Sequence, residues 1–152
     1  MNLAKSHGGS TLIEIAVTVL ILSTSLLAMA TLQTRSLQFN QAAYMRSQAN
    51  IYAYDIADRI RINRGKNAVN IASYSTSDYD AAPSGNGMAS ADVTTWRANI
   101  GRDLPGGKGK IVCTIATHVC VLSIKWDDEQ LFGAATASNT EAKTELIYST
   151  SI

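Results

Sequence analysis

Residues 8–32 read GGSTLIEIAVTVLILSTSLLAMATL, and from Leu12 to Leu32 the only ionisable side chain in 21 positions is Glu14. At about 1.5 Å per residue, a helix of that length crosses a hydrocarbon core of about 30 Å. A secretory signal places its small-residue cleavage site after the apolar run. Here the order is reversed: the polar nonapeptide MNLAKSHGG, with Lys5 and the Gly8-Gly9 pair, precedes the run. A cut after Gly9 leaves the apolar helix on the mature protein. Lys5 and the initial amine favour a cytoplasmic N-terminus. That makes the span N-in, C-out and places Cys113 and Cys120 outside the cytoplasm, where a structural disulfide persists.

A carboxylate in an apolar run is costly unless it is neutralised, interfacial or paired. Glu14 lies three residues into the span, so an interfacial position is one reading. The other is that cleavage creates an α-amine at Ser10, and the amine of a neighbouring subunit meets the Glu14 carboxylate, making subunit packing selective for register.

Neither Gly nor Pro occurs from Ser10 to Arg64. The 55 residues predict one helical rod of about 80 Å, capped at Ser10 or Thr11 and stopped at Gly65. In its second half Ala42, Met45, Ala49, Ala53, Ile56 and Ile60 form an apolar stripe flanked by Tyr52, which predicts packing against a head. Asp55 with Arg59 and Asp58 with Arg61 are helical neighbours that support the rod.

Residues 65–90 read as a surface loop in which Tyr74 and Tyr79 are either exposed contacts or cover for the core. Ser90 is a candidate cap for a helix to about Asp103, with Val93, Trp96 and Ile100 on one face and Leu104 beyond it. Trp96 reads as a core anchor. Leu104-Pro105-Gly106-Gly107 ends that helix, and Lys110–Ala116 with Val119–Trp126 predict a hairpin. A four-residue loop, Ile115–His118, places Cys113 and Cys120 opposite each other as a non-hydrogen-bonded pair, whose close approach suits a disulfide. Residues 127–139 are polar or small around Leu131 and Phe132, and Glu145–Ile152 supplies a final strand. The expected fold class is α+β, a long N-terminal helix packed on a small antiparallel sheet. Its divisions are residues 1–9 (leader), 10–32 (transmembrane half of the helix), 33–64 (amphipathic half) and 65–152 (head).

The full chain of 152 residues carries 13 Lys+Arg and 12 Asp+Glu, which excludes a strongly basic nucleic-acid binder and a charge-rich disordered chain. No phosphate-binding loop, nucleophile elbow or zincin pair occurs. The spacing C-x6-C is not a zinc signature, and His118 adds too few partners once His7 leaves with the leader. Asp127, Asp128 and Glu129 could bind Ca²⁺, but adjacent residues at a strand end point in different directions, and a solvated terminus is the simpler reading. Enzymatic activity, a cofactor and a metal are not expected.

The string GGSTLIEIAVTVLIL resembles the class III signal of type IV pilins and pseudopilins. The segments LQTRSLQFNQAAYMRSQANIYAYDIADRIRINR and TTWRANIGRDLPGGKGK, with the later IKWDD, resemble minor pilins of the PilV family. The resemblance implies cleavage after Gly9 by a prepilin peptidase, N-methylation of Ser10 and insertion into a pilus. It also implies partnership with other minor pilins and the major pilin, contact with inner-membrane lipids before assembly, and a possible tip adhesin. The implied location is the inner membrane with a periplasmic head, then the pilus or its tip. Ser10 stands where Phe is usual in the family. Ser23, Thr24, Ser25 and Thr31 stand where major pilins often have Gly and Pro.

The expected function is that of a minor pilin that helps initiate pilus assembly and so supports adhesion and twitching motility. A type II secretion pseudopilin shares the same leader and rod. A DNA-uptake receptor is a different class and would use Arg59, Arg61, Arg64, Lys66, Lys108 and Lys110 as a basic stripe. Removing Lys5 with the leader leaves 13 − 1 = 12 Lys+Arg against 12 Asp+Glu, so long-range attraction to a polyanion is weak. A membrane-tethered enzyme rests on no identified residue.

Overall fold

The computed structural model describes residues 8–65, 70–128 and 144–152. In chain order they form α1 (Gly8–Asn63), a 3₁₀ turn (Ile71–Tyr74), α2 (Met88–Asp103), β1 (Lys108–Thr114), β2 (Val119–Trp126) and β3 (Thr144–Ser151). The layout is α+β and pilin-like, a long N-terminal helix with a three-stranded antiparallel sheet packed against it. The chain divides into two compact units, Met1–Asn40 and Gln41–Ile152, and α1 contributes to both.

The absence of Gly and Pro lets α1 run unbroken. It stops before Gly65, whose φ of 68° is a left-handed conformation that favours glycine. Asn70 closes the end by donating its backbone N–H to Arg64 O at 3.2 Å and its side-chain amide to Asn63 O at 3.0 Å. At the other end the expected caps are corrected: α1 includes Gly8 and Gly9, so Ser10 and Thr11 are residues within the helix.

Within the unit Gln41–Ile152, the buried face of α1 is Met45, Ala49, Ala53, Ile56, Ala57 and Ile60. Ala42 is only half-buried, and Ala57 completes the face. Ala49, Ala53 and Ala57, four residues apart, form a low ridge that permits close approach of packed elements. They share one core with Val93, Trp96 and Ile100 of α2, Leu104 just after it, and Ile111, Leu122, Ile124 and Trp126 of the sheet. In β2 buried residues alternate strictly with half-buried ones, the period of a strand with one face on a core.

The α2 helix starts earlier than the Ser90 cap predicts. Gly87, at φ 67°, turns the chain into Met88, and no side chain caps the end. Ser90 lies inside the helix, and its carbonyl accepts the Thr94 hydroxyl at 2.7 Å. The earlier start brings Ala89 onto the same buried face as Val93, Trp96 and Ile100.

Sheet order is β1-β2-β3. Cys113 faces Cys120 and Lys108 faces Lys125 across the first pair, while Cys120 faces Thr150 and Trp126 faces Thr144 across the second. β1 begins at Lys108 and ends at Thr114, two residues ahead of the expected Lys110–Ala116 at each end. The loop of residues 70–87 is more ordered than its composition suggests. Ile71 and Tyr74 are buried, and Thr76 bridges to Pro83. Thr76 N–H donates to Ile111 O at 2.8 Å, and Ser75 Oγ accepts from Cys113 N–H at 3.0 Å. Residues 75 and 76 thereby cover the outer edge of β1, whose backbone groups would otherwise invite pairing with another chain.

Candidate functional site

In the unit Met1–Asn40 the candidate site is the surface of α1 itself. Each residue from Thr11 to Leu37 is exposed, with Leu12 at 72% and Leu27 at 70%. The helix is long and apolar enough to cross a membrane, and none of its most apolar stretch is buried. Leaving such an array of Leu, Ile and Val in water is costly, and the length and composition of the helix are consistent with a single-pass membrane anchor.

The hydroxyls of the span serve the helix's own carbonyls. Ser23 donates to Val19 O at 2.6 Å, Thr24 to Ile21 O at 2.9 Å and Ser25 to Ile21 O at 2.9 Å. Thr18 donates to Ile15 O at 2.8 Å and Thr31 to Leu27 O at 2.9 Å. Those hydroxyl protons are therefore satisfied without water. Glu14 differs: it is exposed and has no partner among the described residues. The Gly9–Ser10 bond lies one helical turn before it, within α1.

The head contains the cysteine bridge. Cys113 and Cys120 form a disulfide with Cα atoms 4.0 Å apart. Because Cys113 directs its N–H to Ser75 Oγ, away from β2, the two cysteines are a non-hydrogen-bonded pair, the close type of cross-strand pair. The chain reverses through Ile115–His118, where His118 N–H donates to Ile115 O at 3.2 Å. With both thiols in the bridge, His118 has no thiolate with which to share a metal. Among the described residues no three His, Cys, Asp or Glu side chains form a metal-binding group. Asp128 accepts the Thr144 hydroxyl where β2 and β3 meet, while Glu129, Leu131 and Phe132 lie outside the described residues.

The charged groups of the head are largely matched to one another. Arg59 lies 3.1 Å from Asp55 and 3.2 Å from Asp92. Asp92 also accepts the Tyr74 hydroxyl at 2.8 Å, and Asn63 donates to the Tyr74 oxygen at 2.9 Å. Burial, with the Asp92 carboxylate beside it, pushes Tyr74 up to about 12. Arg61 pairs with Asp58 at 2.8 Å and donates to Thr150 Oγ1 at 2.7 Å, and Lys108 pairs with Asp80 at 2.6 Å. Both helical pairs expected from spacing are present.

These contacts divide the proposed basic stripe. Arg61 contacts Thr150, which faces Cys120, whereas Lys108 faces Lys125, five residues further along β2. At about 3.3 Å per residue the Thr150 and Lys108 positions are about 17 Å apart along the strand, so Arg61 and Lys108 are tied to opposite ends of the sheet. Three of the six cations, Arg59, Arg61 and Lys108, already face carboxylates. Lys66 lies outside the described residues.

Arg97 and Asp92 were not marked by the sequence. Arg97 donates to Gly109 O at 2.8 Å, to Asp78 O at 2.9 Å and to Ala81 O, tying the 78–81 loop to β1. Burial lowers its pKa. On the same side Tyr79 lies under the Lys125 ammonium, 3.8 Å from its ring centroid, and donates to Glu145. Burial and then Glu145 push its hydroxyl up to about 12. No spacing rule marks such residues, because their partners come from distant parts of the chain.

Comparison with protein-family models, with curated proteins and with solved structures gives no match for this chain.

Proposed function

We propose that this chain is a minor pilin, of the kind the PilV-like segments suggest, cut after Gly9 by a prepilin peptidase and methylated at Ser10. It then leaves the inner membrane for a type IV pilus, where it helps initiate assembly at the tip. Its partners are other minor pilins, the major pilin and a tip adhesin, so adhesion and twitching motility depend on it indirectly.

One observation carries this reading. An exposed helix of membrane length holds a carboxylate, Glu14, that has no partner among the described residues, one turn after a Gly-Gly junction, and the same helix supplies part of the core of the unit Gln41–Ile152. A plain anchor has no use for a charge there. A helix that leaves lipid for contact with like helices has one, because the amine freed at Ser10 of a neighbour neutralises it.

Mass spectrometry of the protein in purified pili tests the reading. We expect an N-terminal peptide starting at methylated Ser10. Glu14→Ala should be inserted and cut normally yet be depleted from filaments at least tenfold. An uncut protein, or wild-type incorporation of the Glu14 variant, refutes the proposal. Loss of protein secretion with twitching intact in a deletion strain assigns the chain to a secretion pseudopilus instead.

A further inference from the structure

We infer that Gly8, the residue before the leader's last glycine, helps set the rate of processing by weakening the helix through which the scissile bond runs. The inference rests on the proposed reading of Gly9–Ser10 as the cut site and adds a determinant to it. That bond lies inside α1, which spans Gly8–Asn63. In an α-helix the peptide carbonyl is engaged by the N–H four residues on and the backbone is wrapped by its own side chains. A peptidase cannot seat such a bond. It must act on the fraction of molecules in which the segment is unwound, and below saturation that fraction multiplies the rate.

Unwinding has little chance of starting from the apolar side. Beyond Thr11 each backbone group released into hydrocarbon costs several kcal/mol. The weakness must therefore lie at or before the bond. Gly8 and Gly9 are the only glycines before Gly65, and glycine is the poorest helix former after proline. Gly9 supplies the scissile carbonyl, so changing it alters contact with the peptidase as well as helix strength. Gly8 is one residue removed, so its backbone freedom can be tested separately.

The test is the initial cleavage rate of the full precursor in membranes by purified prepilin peptidase at subsaturating substrate. The unaltered chain is compared with Gly8→Ala and Gly8→Val. Alanine, the best helix former, should slow cleavage by several-fold, up to about fivefold, and valine, a poor helix former with no capping side chain, should be cut faster than the alanine variant. A subsite that merely demanded a small residue would give the opposite rank, because valine is the larger side chain. Cleavage of Gly8→Ala at the unaltered rate, or slower cleavage of Gly8→Val than of Gly8→Ala, overturns this inference and leaves the functional reading standing. Failure of the unaltered precursor to be cut after Gly9 overturns both.

Discussion

Gly109→Ala should damage the head out of proportion to the single methyl group it adds. A Cβ at residue 109 would lie 2.3 Å from Cζ3 and 2.4 Å from Cη2 of the Trp96 indole, well inside contact distance. Neither side yields easily. Trp96 is fully buried and its Nε1 donates to Tyr52 O at 2.9 Å, so a sliding ring gives up that bond. Gly109 is held in register opposite Ile124, and its carbonyl accepts from Arg97. Overpacking costs about 1–3 kcal/mol, and a lost buried hydrogen bond adds about 1 kcal/mol. Replacing glycine in a strand returns about 0.5–1 kcal/mol of backbone entropy. The net expectation is a loss of about 2.5 kcal/mol. With a urea slope of about 1.5 kcal/mol/M, that lowers the midpoint by roughly 1.7 M. Urea unfolding of the full chain in detergent micelles, followed by tryptophan fluorescence, reads it directly because Trp96 and Trp126 are both buried. Combining Gly109→Ala with Trp96→Phe should cost at least about 1 kcal/mol less than the sum of the two changes, since the smaller ring makes room. A midpoint for Gly109→Ala within about 0.3 M of the unaltered chain refutes the packing argument, as does strict additivity in the double variant.

Three further outcomes follow from the head. Replacing Cys113 and Cys120 by serine opens a loop of about eight residues and should cost about 2.5 kcal/mol by chain entropy, read as a lower urea midpoint that reductant no longer changes. Tyr74 and Tyr79 have hydroxyls raised to about 12, so the stability they contribute is fully present below pH 10 and is lost as pH rises from 10 to 12. Tyr74→Phe with Tyr79→Phe should flatten that part of the stability profile, and an unchanged slope contradicts the assignment. Arg97→Lys keeps the charge but cannot reach three carbonyls at once, so limited proteolysis within residues 77–82 should speed up at least fivefold while cleavage elsewhere is unchanged.

The elements governed by local periodicity are legible in the sequence. The Gly- and Pro-free run predicts α1, the β-branched runs predict β1 and β2, and the symmetry of Cys113 and Cys120 about residues 116 and 117 predicts both their pairing and its close geometry. What escaped depends on contacts between distant residues. Ala57 joins the buried face only because the packed elements reach around that side of α1. Ser90 has the chemistry of a cap, but Gly87 makes the turn and the helix extends back to bury Ala89. Ser75, Thr76 and Arg97 look like ordinary loop and helix residues. They matter because one strand edge and one loop happen to lie within reach.

The two compact units handle polarity in opposite ways, which bears on where recognition resides. In the unit Gln41–Ile152 the cations Arg59, Arg61, Lys108 and Lys125 face carboxylates or an aromatic ring. A partner attracted by charge would have to displace contacts already made, and exposed pairs of this kind contribute little net attraction at physiological salt. In the unit Met1–Asn40 residues 12–32 present an apolar surface, with the hydroxyls of Thr18, Ser23, Thr24, Ser25 and Thr31 turned onto the helix backbone and Glu14 unmatched among the described residues. Apolar surface alone does not distinguish lipid from protein, because helix association in a bilayer gains nothing from excluding water. Glu14 supplies the difference. Its charge is unfavourable in hydrocarbon and becomes favourable when a cation from a neighbouring chain is placed beside it, so on the proposed reading this one carboxylate decides whether the helix stays in lipid or packs among its own kind.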